Sequence, residues 1–485
     1  MSAARSYAAP LALIVAVLTA YRLWVIGHLG IDLYVDEAYY WGWSRALDWG
    51  YFSKPPVIAA LIAASTRLLG DSIIAIKLPS LLLYPATAFA LYALGARMYS
   101  PRVGFWAGFA FMSMPLVAAL GLFVSTDAPL LLCWSLALLY LLRALERDGW
   151  RDWLACGALI GIGLMSKYTM AAFLPSALLL IALDPRHRRW LARPQPWVAL
   201  LLAAAILSPN LYWNWAHDFP TFRHTAEITR VGGHGERGWH PGQLGEFVGA
   251  QWLSFGPLLG VLLGWALLKA VSLWRTPAHR TLLIFIVPLL LLVSLQALTG
   301  RANGNWAAPI FVAACLLVPA VFLAQWPRLV MAGVAINLIA ALGAYHWPDI
   351  ARLGGIEMTA KKDPYKRARG WIRLADGVQP LLTAHPGAIL VAEDRELIAH
   401  LVYRLHPTEY AAWNPGRPPR DHYELVTSLA DKRGRDVLYV GRQPAIPEIA
   451  ARFAGSESLG KVVVPIHADF RREVYVFLLR DFQGY

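Results

Sequence analysis

Long apolar runs alternate with short polar segments along the first 346 residues of the chain. A run of about 20 apolar residues is long enough to cross a bilayer as an α-helix. Runs of roughly that length fall at about 8–28, 72–96, 103–122, 128–145, 152–166, 169–184, 197–214, 248–272, 281–299, 307–325 and 328–346. The pattern predicts about eleven transmembrane helices, of which those at 152–166 and 169–184 are the shortest. No small-residue cleavage site follows the first run, so we expect a retained helix rather than a signal peptide.

The pattern changes after residue 348. A helical periodicity at about 364–384 is followed by short strand-like and helical segments, in the order AILVA, DRELIAHLVYRL, EYAAW, HYELVTSLA, DVLYVG, VVVPI and REVYVFLL. This alternation predicts a small α/β domain with a single core. We therefore divide the chain into a transmembrane domain, residues 1–348, with a first outer loop at 29–71, and a soluble domain, residues 349–485.

Composition and charge agree with a polytopic α-helical membrane protein. The chain is 57% hydrophobic and only 15% charged, and most of its net charge of +13 lies before residue 349. Positive charge in short loops between apolar runs marks the cytoplasmic side of a membrane, so we expect membrane lipids and no nucleic acid as partners. The alternate loops and the C-terminal domain then face outward. These outward loops are 32–70, 125–127, 166–169, 217–246 and 300–305.

The first outer loop holds the densest polar chemistry of the first hundred residues, in the stretch DLYVDEAYYWGWSRALDWGYFSKPP. Asp36 and Glu37 lie beside several aromatic residues, and carboxylates in such surroundings could take a proton from a sugar hydroxyl. The alternative is a solvated interfacial loop with aromatic anchors. After Pro56, residues 57–70 are apolar but too short to span, and they predict an amphipathic helix along the interface.

Four further polar residues on the outer side are candidates. Asp127 precedes an apolar run and could equally cap its helix. Lys54 could bind a phosphate or extend its ammonium to the membrane surface. Lys167 lies between two apolar segments, where an unpaired ammonium is costly, so it should reach an anion or the outer surface. Arg301 could bind a phosphate or a lipid headgroup.

Metal and cofactor chemistry find little support in the sequence. The long outward loop contains His224, His234 and His240, whose spacings match no closed ligand pattern. No phosphate-binding or dinucleotide-binding glycine pattern is present, so an energised donor would come from the lipid phase or the outer compartment. The three cysteines lie in apolar runs and predict no disulfide. We expect no cofactor and no metal.

Four motifs carry a resemblance to a known family: VDEAYYWGWSRALDWGYFSKPP, STDAPLLLCW, GIGLMSKYT and NWAAPIF. Residues 8–346 resemble the GT-C type polyprenyl-phosphate-dependent glycosyltransferases of the protein-mannosyltransferase-like family. Within it they are similar to the bacterial aminoarabinose transferases and to the lipid A and core galacturonosyltransferases. The resemblance implies a catalytic carboxylate at Asp36, with Glu37 beside it, and a lipid-phosphate contact at Lys54.

The resemblance also matches Asp127 to the family's second-loop aspartate and Lys167 to its later loop lysine. One position departs from the pattern, because Ser53 stands where the aminoarabinose transferases have a glutamate that helps to bind a metal.

These observations lead to one hypothesis about function. We expect an inverting glycosyltransferase in the bacterial inner membrane, with the active site and the C-terminal domain in the periplasm. The donor would be a sugar on a polyprenyl monophosphate, and the acceptor a hydroxyl of a lipid-linked or envelope glycan such as lipid A or core. Asp36, Glu37 and Asp127 would be catalytic, and Lys54, Lys167 and Arg301 would bind the donor phosphate in the same pocket.

Two alternatives to this enzyme are open. A transporter or lipid flippase would place charges along a pathway through the membrane and show internal repeats. A non-catalytic membrane subunit would act through partners of its C-terminal domain.

Overall fold

The computed structural model describes residues 7–229 and 238–485, which form two compact units. The first, called here the helical unit, comprises Met1–Val25, Lys54–Leu61 and Lys77–Tyr345. The second, called the mixed unit, comprises Ile26–Ser53, Ile62–Ile76 and His346–Tyr485. Most of the first outer loop therefore belongs to the same compact unit as the C-terminal residues. The sequence-based division at residue 348 stays a prediction.

Helices account for most of the chain before the sheet. Those of the described residues are, in chain order, Ala8–Leu29 (α1), Val35–Arg45 (α2), Val57–Leu69 (α3), Ile73–Met98 (α4), Pro101–Ser113 (α5), Pro115–Leu120 (α6), Asp127–Glu146 (α7), Trp150–Leu164 (α8), Phe173–Leu183 (α9), Pro194–Ala216 (α10), Pro220–Thr229 (α11), Pro241–Phe255 (α12), Pro257–Leu268 (α13), Ala270–Leu273 (α14), Pro277–Thr299 (α15), Ile310–Phe322 (α16), Pro327–Tyr345 (α17) and Trp347–Leu353 (α18). Short 3₁₀ turns lie at Tyr168–Ala172, Arg188–Ala192 and Gly304–Ala307.

The chain has several helices that could cross a membrane. Within residues 7–229 and 238–485, six are long and apolar enough: α1, α4, α7, α10, α15 and α17. Helices α12 and α13 meet at a bend of 114° and add a seventh if they form one span. Further apolar helices, such as α3 and α16, are shorter than 18 residues. A multi-pass helical architecture is thus confirmed, whereas the number of eleven spans stays a prediction.

Two of the predicted runs are interrupted by proline. The run at 103–122 divides at Met114 into α5 and α6, because Pro115 has no N–H to continue the ladder of α5. The run at 248–272 divides at Gly256, which adopts a φ of +106° and is followed by Pro257. A Cβ on Gly256 would lie 1.7 Å from the side-chain oxygen of Asn337, so only glycine fits this bend.

Close backbone contacts hold the helical unit together. A Cβ on Gly95 of α4 would lie 2.5 Å from the Cα of Gly104 in α5, and a Cβ on Gly157 of α8 would lie 2.3 Å from the carbonyl oxygen of Ala199 in α10. Small residues at such positions let membrane helices approach closely and gain van der Waals contacts. These contacts matter because the hydrophobic effect does not drive helices together in lipid, which is as apolar as their side chains. The core of the unit contains large buried rings, including Phe111, Trp134, Phe173 and Phe285.

The C-terminal part of the mixed unit is an α/β fold, as the sequence predicts. Its helices are Trp371–Ala384 (α19), Arg395–Leu405 (α20), His422–Val426 (α21) and Pro447–Ala450 (α22), and its strands are Ile389–Ala392 (β1), Tyr410–Ala412 (β2), Val437–Gly441 (β3), Phe453–His467 (β4) and Phe470–Phe482 (β5). The strand order is β2-β1-β3-β5-β4; β2 and β3 run parallel to β1, whereas β5 is antiparallel to its neighbours β3 and β4. Ile389, Val391, Val437 and Leu479 belong to the buried core of this sheet.

Candidate functional site

Helix α2 carries the two adjacent carboxylates Asp36 and Glu37 of the first outer loop, and it gives them different surroundings. The Glu37 side chain accepts a hydrogen bond of 2.8 Å from the backbone N–H of Tyr34, which precedes the helix. This contact satisfies an N–H that the helix start leaves without an intrahelical partner. Glu37 is only 1% exposed, whereas the Asp36 side chain is 42% exposed. A solvent-accessible substrate can therefore approach Asp36 more readily than Glu37.

Asp36 is paired with a residue of the C-terminal fold. The Nη2 atom of Arg395 lies 3.3 Å from Oδ1 of Asp36, and the Arg395 guanidinium lies 4.9 Å from the centroid of the Tyr39 ring. Arg395 is the first residue of α20, whose start is capped by the side chain of Asp394. Because α20 is fixed at this end, Arg395 can hold the Asp36 carboxylate in one orientation while leaving its other oxygen available.

The aromatic residues of α2 are packed inside the mixed unit. Tyr39, Trp41 and Trp43 are all at most 2% exposed. The Tyr39 hydroxyl oxygen accepts a hydrogen bond from the backbone N–H of His422, and Trp41 Nε1 donates to Asp71 Oδ1 at 3.0 Å. These contacts fix α2 on both sides, so the loop is an ordered platform rather than a set of solvated interfacial anchors.

Two further contacts join this platform to the C-terminal fold. Asp32 Oδ2 accepts a hydrogen bond of 2.7 Å from the backbone N–H of Trp371, which begins α19. Burial raises the pKa of the Asp32 carboxyl, although the N–H groups of Ile372 and Trp371 oppose this shift. A Cβ on Gly42 would lie 2.8 Å from the hydroxyl of Tyr423, so α2 approaches α21 closely at this glycine.

The helical unit brings Asp127 and Lys167 into direct contact. Lys167 Nζ donates to Asp127 Oδ1 at 2.7 Å, and Asn305 Nδ2 donates to Asp127 Oδ2 at 2.7 Å. The Asp127 and Lys167 side chains are 2% and 12% exposed. Both oxygens of the buried carboxylate are thus satisfied, and of the two expected outcomes for Lys167, an anion or the outer surface, the structure shows an anion, Asp127. One of the three ammonium N–H groups serves this bond, so Lys167 retains capacity for a second anion.

Lys54 lies near the same region of the helical unit. The backbone N–H of Val57, at the start of α3, donates to the carbonyl oxygen of Met165 at 3.1 Å. Lys54 is half-buried and precedes Val57 by three residues, while Lys167 follows Met165 by two. The two lysines are therefore carried by chain segments that are hydrogen-bonded to each other.

Arg301 is exposed and lies four residues before Asn305. It lines an open cavity of about 500 Å³, together with Glu246 and Asn303. Gln296 anchors this segment through a hydrogen bond of 3.3 Å from its Nε2 to the Arg301 carbonyl oxygen. The same segment carries Asn305, which donates a hydrogen bond to Asp127. Arg301 therefore lies four residues from a residue that contacts the Asp127 side chain.

Four of the six predicted site residues thus lie in the helical unit: Lys54, Asp127, Lys167 and Arg301. Asp36 and Glu37 belong to the mixed unit, and a single pocket shared by all six stays a prediction. In the long outward loop, Arg230, His234, Glu236 and Arg237 lie outside the described residues. Among the residues that are described, His224 and His240 are not part of any group with metal-binding geometry.

Two residues of the site were missed by sequence reasoning. Asn305 is part of the NWAAP motif but had no assigned role, and its amide holds the second oxygen of Asp127. Arg395 lies in a segment that predicted only a helix of the soluble domain. Ser53, which stands where the resemblance places a glutamate of the aminoarabinose transferases, is buried and offers a hydroxyl in place of a carboxylate ligand.

Comparison with known proteins identifies the family. The family model described as dolichyl-phosphate-mannose-protein mannosyltransferase matches residues 53–213. Over 438 residues the chain is 31% identical to the lipid A galacturonosyltransferase RgtD of Rhizobium johnstonii, covering 88% of this chain and 90% of that protein. Over 291 residues it is 26% identical to the undecaprenyl phosphate-alpha-4-amino-4-deoxy-L-arabinose arabinosyl transferase 2 of Pseudomonas fluorescens, covering 56% of this chain and 46% of that one.

A solved structure has the same fold. The crystal structure of ArnT from Cupriavidus metallidurans bound to undecaprenyl phosphate matches with a TM-score of 0.64 and 17% identity, covering 97% of this chain and 98% of that one. At this identity the likeness concerns the fold alone. The 31% identity that extends over most of RgtD shows that the chain belongs to the protein-mannosyltransferase-like family of GT-C membrane glycosyltransferases.

Proposed function

We propose that this glycosyltransferase moves a sugar from a polyprenyl monophosphate to a hydroxyl of lipid A or a core-like glycan. The two named relatives act on lipid A or carry undecaprenyl phosphate in their names, and the structural neighbour contains that lipid. The observation that carries the proposal within this chain is the accessible carboxylate of Asp36, which Arg395 holds on a buried helix.

The proposed reaction is a single displacement. The acceptor hydroxyl oxygen attacks the anomeric carbon and forms the new glycosidic bond as the bond to the phosphate oxygen breaks. The hydroxyl proton passes to Asp36, and the bonding electrons leave with the polyprenyl phosphate. Attack opposite the departing phosphate inverts the anomeric centre. General-base assistance of this kind contributes about 10²–10⁴-fold to a rate.

The cations of the helical unit would stabilise the departing phosphate. Lys54 is the primary contact in this proposal, because it is half-buried and its ammonium acts as a point charge on a phosphate. Lys167 would add a second N–H to the phosphate while Asp127 and Asn305 hold it in place. Arg301, which is exposed beside the open cavity, would contact the outer oxygens. Charge that develops on a leaving group in a water-poor site is where fixed cations act most strongly.

The proposal includes an orientation in the bacterial inner membrane. Loops with arginine and lysine, such as those at Arg147 and Arg189, would face the cytoplasm. The site and the C-terminal fold would then face the periplasm, where polyprenyl-linked sugars and lipid A can meet.

Purified protein tests the reaction directly. Incubated in detergent with lipid A and synthetic undecaprenyl-phosphate sugars, the protein should add a single sugar to the lipid, detected as a mass increase by mass spectrometry. Donors that carry galacturonic acid and aminoarabinose should be offered separately, because the relatives differ in the sugar. Failure with every donor, while a galacturonosyltransferase prepared in the same way is active, would overturn the proposal.

Arg395 is expected to be a positioning residue for Asp36. Replacing it with glutamine should lower kcat by roughly tenfold to a hundredfold and leave the donor KM nearly unchanged, because a small misplacement of a reacting group has a cost of that order. Arg395→Lys keeps the charge and should restore part of the rate. A steady-state titration of donor measures both constants.

A contact that serves only stability would give a different result. In that case Arg395→Gln would lower the melting temperature while kcat per folded protein stayed normal. Arg404→Gln is a matched control on the same helix, since Arg404 pairs with Asp376 rather than with α2.

A further inference from the structure

A group of three potential metal ligands lies in the mixed unit. His28 is in the last turn of α1, His346 precedes α18, and Asp349 is in the first turn of α18. His28 Nε2 lies 2.7 Å from Asp349 Oδ2, and His346 Nδ1 lies 3.4 Å from the same oxygen. The two imidazole centroids are 5.7 Å apart. Two ring nitrogens thus converge on one carboxylate oxygen.

This spacing is close to that of a zinc site. The three ligand atoms all lie within 4.8 Å of one another. Zn²⁺ binds histidine nitrogen and carboxylate oxygen at about 2.0–2.2 Å in a tetrahedral arrangement, which separates the ligand atoms by about 3.4 Å. Side-chain rotations that move each atom by about 1 Å or less would fit the ion. Within the residues that the structure describes, no other group of histidine, cysteine and acidic residues has this geometry.

The surroundings suit a divalent ion. The side chains of His28, His346 and Asp349 are 37%, 30% and 26% exposed, so an ion and a water ligand can enter. Arg352 Nη2 contacts the other oxygen of Asp349, Oδ1, at 2.7 Å. A carboxylate that binds a metal through one oxygen and is oriented through the other is the usual arrangement around zinc.

We propose that His28 Nε2, His346 Nδ1 and Asp349 Oδ2 bind one Zn²⁺ ion, with water as the fourth ligand. The ion would join the end of the first helix to the helix that follows α17. His28 and His346 lie at the beginnings of the first and the last of the three segments of the mixed unit, so the ion would hold these two segments together. This role is structural and independent of the glycosyl-transfer reaction. This proposal departs from the expectation of no metal. His346 and Asp349 follow His28 by 318 and 321 positions, so the three residues form no local sequence motif that could predict the site.

The competing explanation is a plain hydrogen bond between His28 and Asp349 with His346 nearby. It predicts no affinity for zinc beyond that of other surface histidines. The two explanations therefore differ in the amount of metal bound, which can be measured without substrate.

The test uses full-length protein purified in detergent through a tag that contains no histidine. After removal of metals with a chelator and dialysis against Zn²⁺, elemental analysis should find one zinc per chain. His28→Gln, His346→Gln and Asp349→Asn should each abolish stoichiometric binding. His385→Gln, which changes a half-buried histidine of the same unit outside the group, should retain it.

Two further measurements keep the test decisive. Co²⁺ in place of Zn²⁺ should give the intense visible absorption of a four-coordinate site in the wild type and not in the variants. Zn²⁺ should also raise the melting temperature of the wild type more than that of Asp349→Asn. Equal zinc content in the wild type and in all three folded variants would overturn the proposal. Because none of these readouts uses a donor or an acceptor, the result is separate from that of the transfer assay.

Discussion

Asp36→Asn should reduce sugar transfer by about 10²–10⁴-fold while the protein remains folded. The amide keeps the shape of the side chain but cannot accept the proton of the acceptor hydroxyl. The loss of the pair with Arg395 should have little effect on stability, because partly exposed ion pairs contribute about 0–1 kcal/mol. Transfer is measured by mass spectrometry of the lipid, and folding by size-exclusion chromatography and thermal unfolding.

The adjacent residue provides the matched control for this experiment. Glu37→Gln makes the same change of charge one position later, but the Glu37 side chain accepts a hydrogen bond at the helix start and is buried. It should lower stability by about 1 kcal/mol and leave most of the rate per folded molecule. A third variant, Lys54→Met, should weaken donor binding, whereas Asp36→Asn should preserve it. Near-normal turnover by Asp36→Asn would remove the proposed mechanism.

Lys167→Met should destabilise the protein by about 3–5 kcal/mol, because it leaves the buried Asp127 carboxylate without its cation. Asp127→Asn should have an effect of similar size, since it leaves the Lys167 ammonium without its anion. The double variant Asp127→Asn with Lys167→Met should be more stable than the sum of the single effects predicts, because no buried charge is then left alone. Thermal unfolding of the four proteins in one detergent measures the coupling.

Arg301, an exposed cation, provides a control that distinguishes the loss of an exposed charge from the loss of a buried one. Arg301→Gln removes one positive charge outside the pair and should change stability by less than about 0.5 kcal/mol. If the effects of Asp127→Asn and Lys167→Met were simply additive, the two residues would not depend on each other, and the positioning of Lys167 by Asp127 would be wrong.

Some of these features can be predicted from local sequence patterns. The cost of burying an ammonium predicted that Lys167 reaches either an anion or the outer surface, and in the structure it contacts the anion Asp127. The apolar runs located the long helices, and the change of pattern after residue 348 located the sheet. The breaks at Met114 and Gly256 are also encoded locally, in the prolines that follow them, although a count of apolar residues passes over them.

Contacts between distant parts of the chain could not be predicted in this way. Asn305 and Asp127 are 178 positions apart, and neither residue type specifies the other. Arg395 is an ordinary surface residue by its sequence surroundings, and its partner is in the first outer loop. The aromatic residues of α2 illustrate the same limit. Tyr39 and Trp43 are of the residue types that are common at a membrane interface, yet their burial depends on a fold formed by the last third of the chain.

The composition of the mixed unit has a consequence for biosynthesis. Helix α2 leaves the ribosome among the first fifty residues, but Trp371, Arg395 and His422, which complete its surroundings, are made more than three hundred residues later. Until the C-terminal segment has been made, the ring contacts of Tyr39 with Tyr423 and of Trp43 with His422 are missing. A nascent chain that stops short of the sheet would therefore expose aromatic rings of α2 that the complete fold buries, and cellular quality control could recognise such a chain as incomplete.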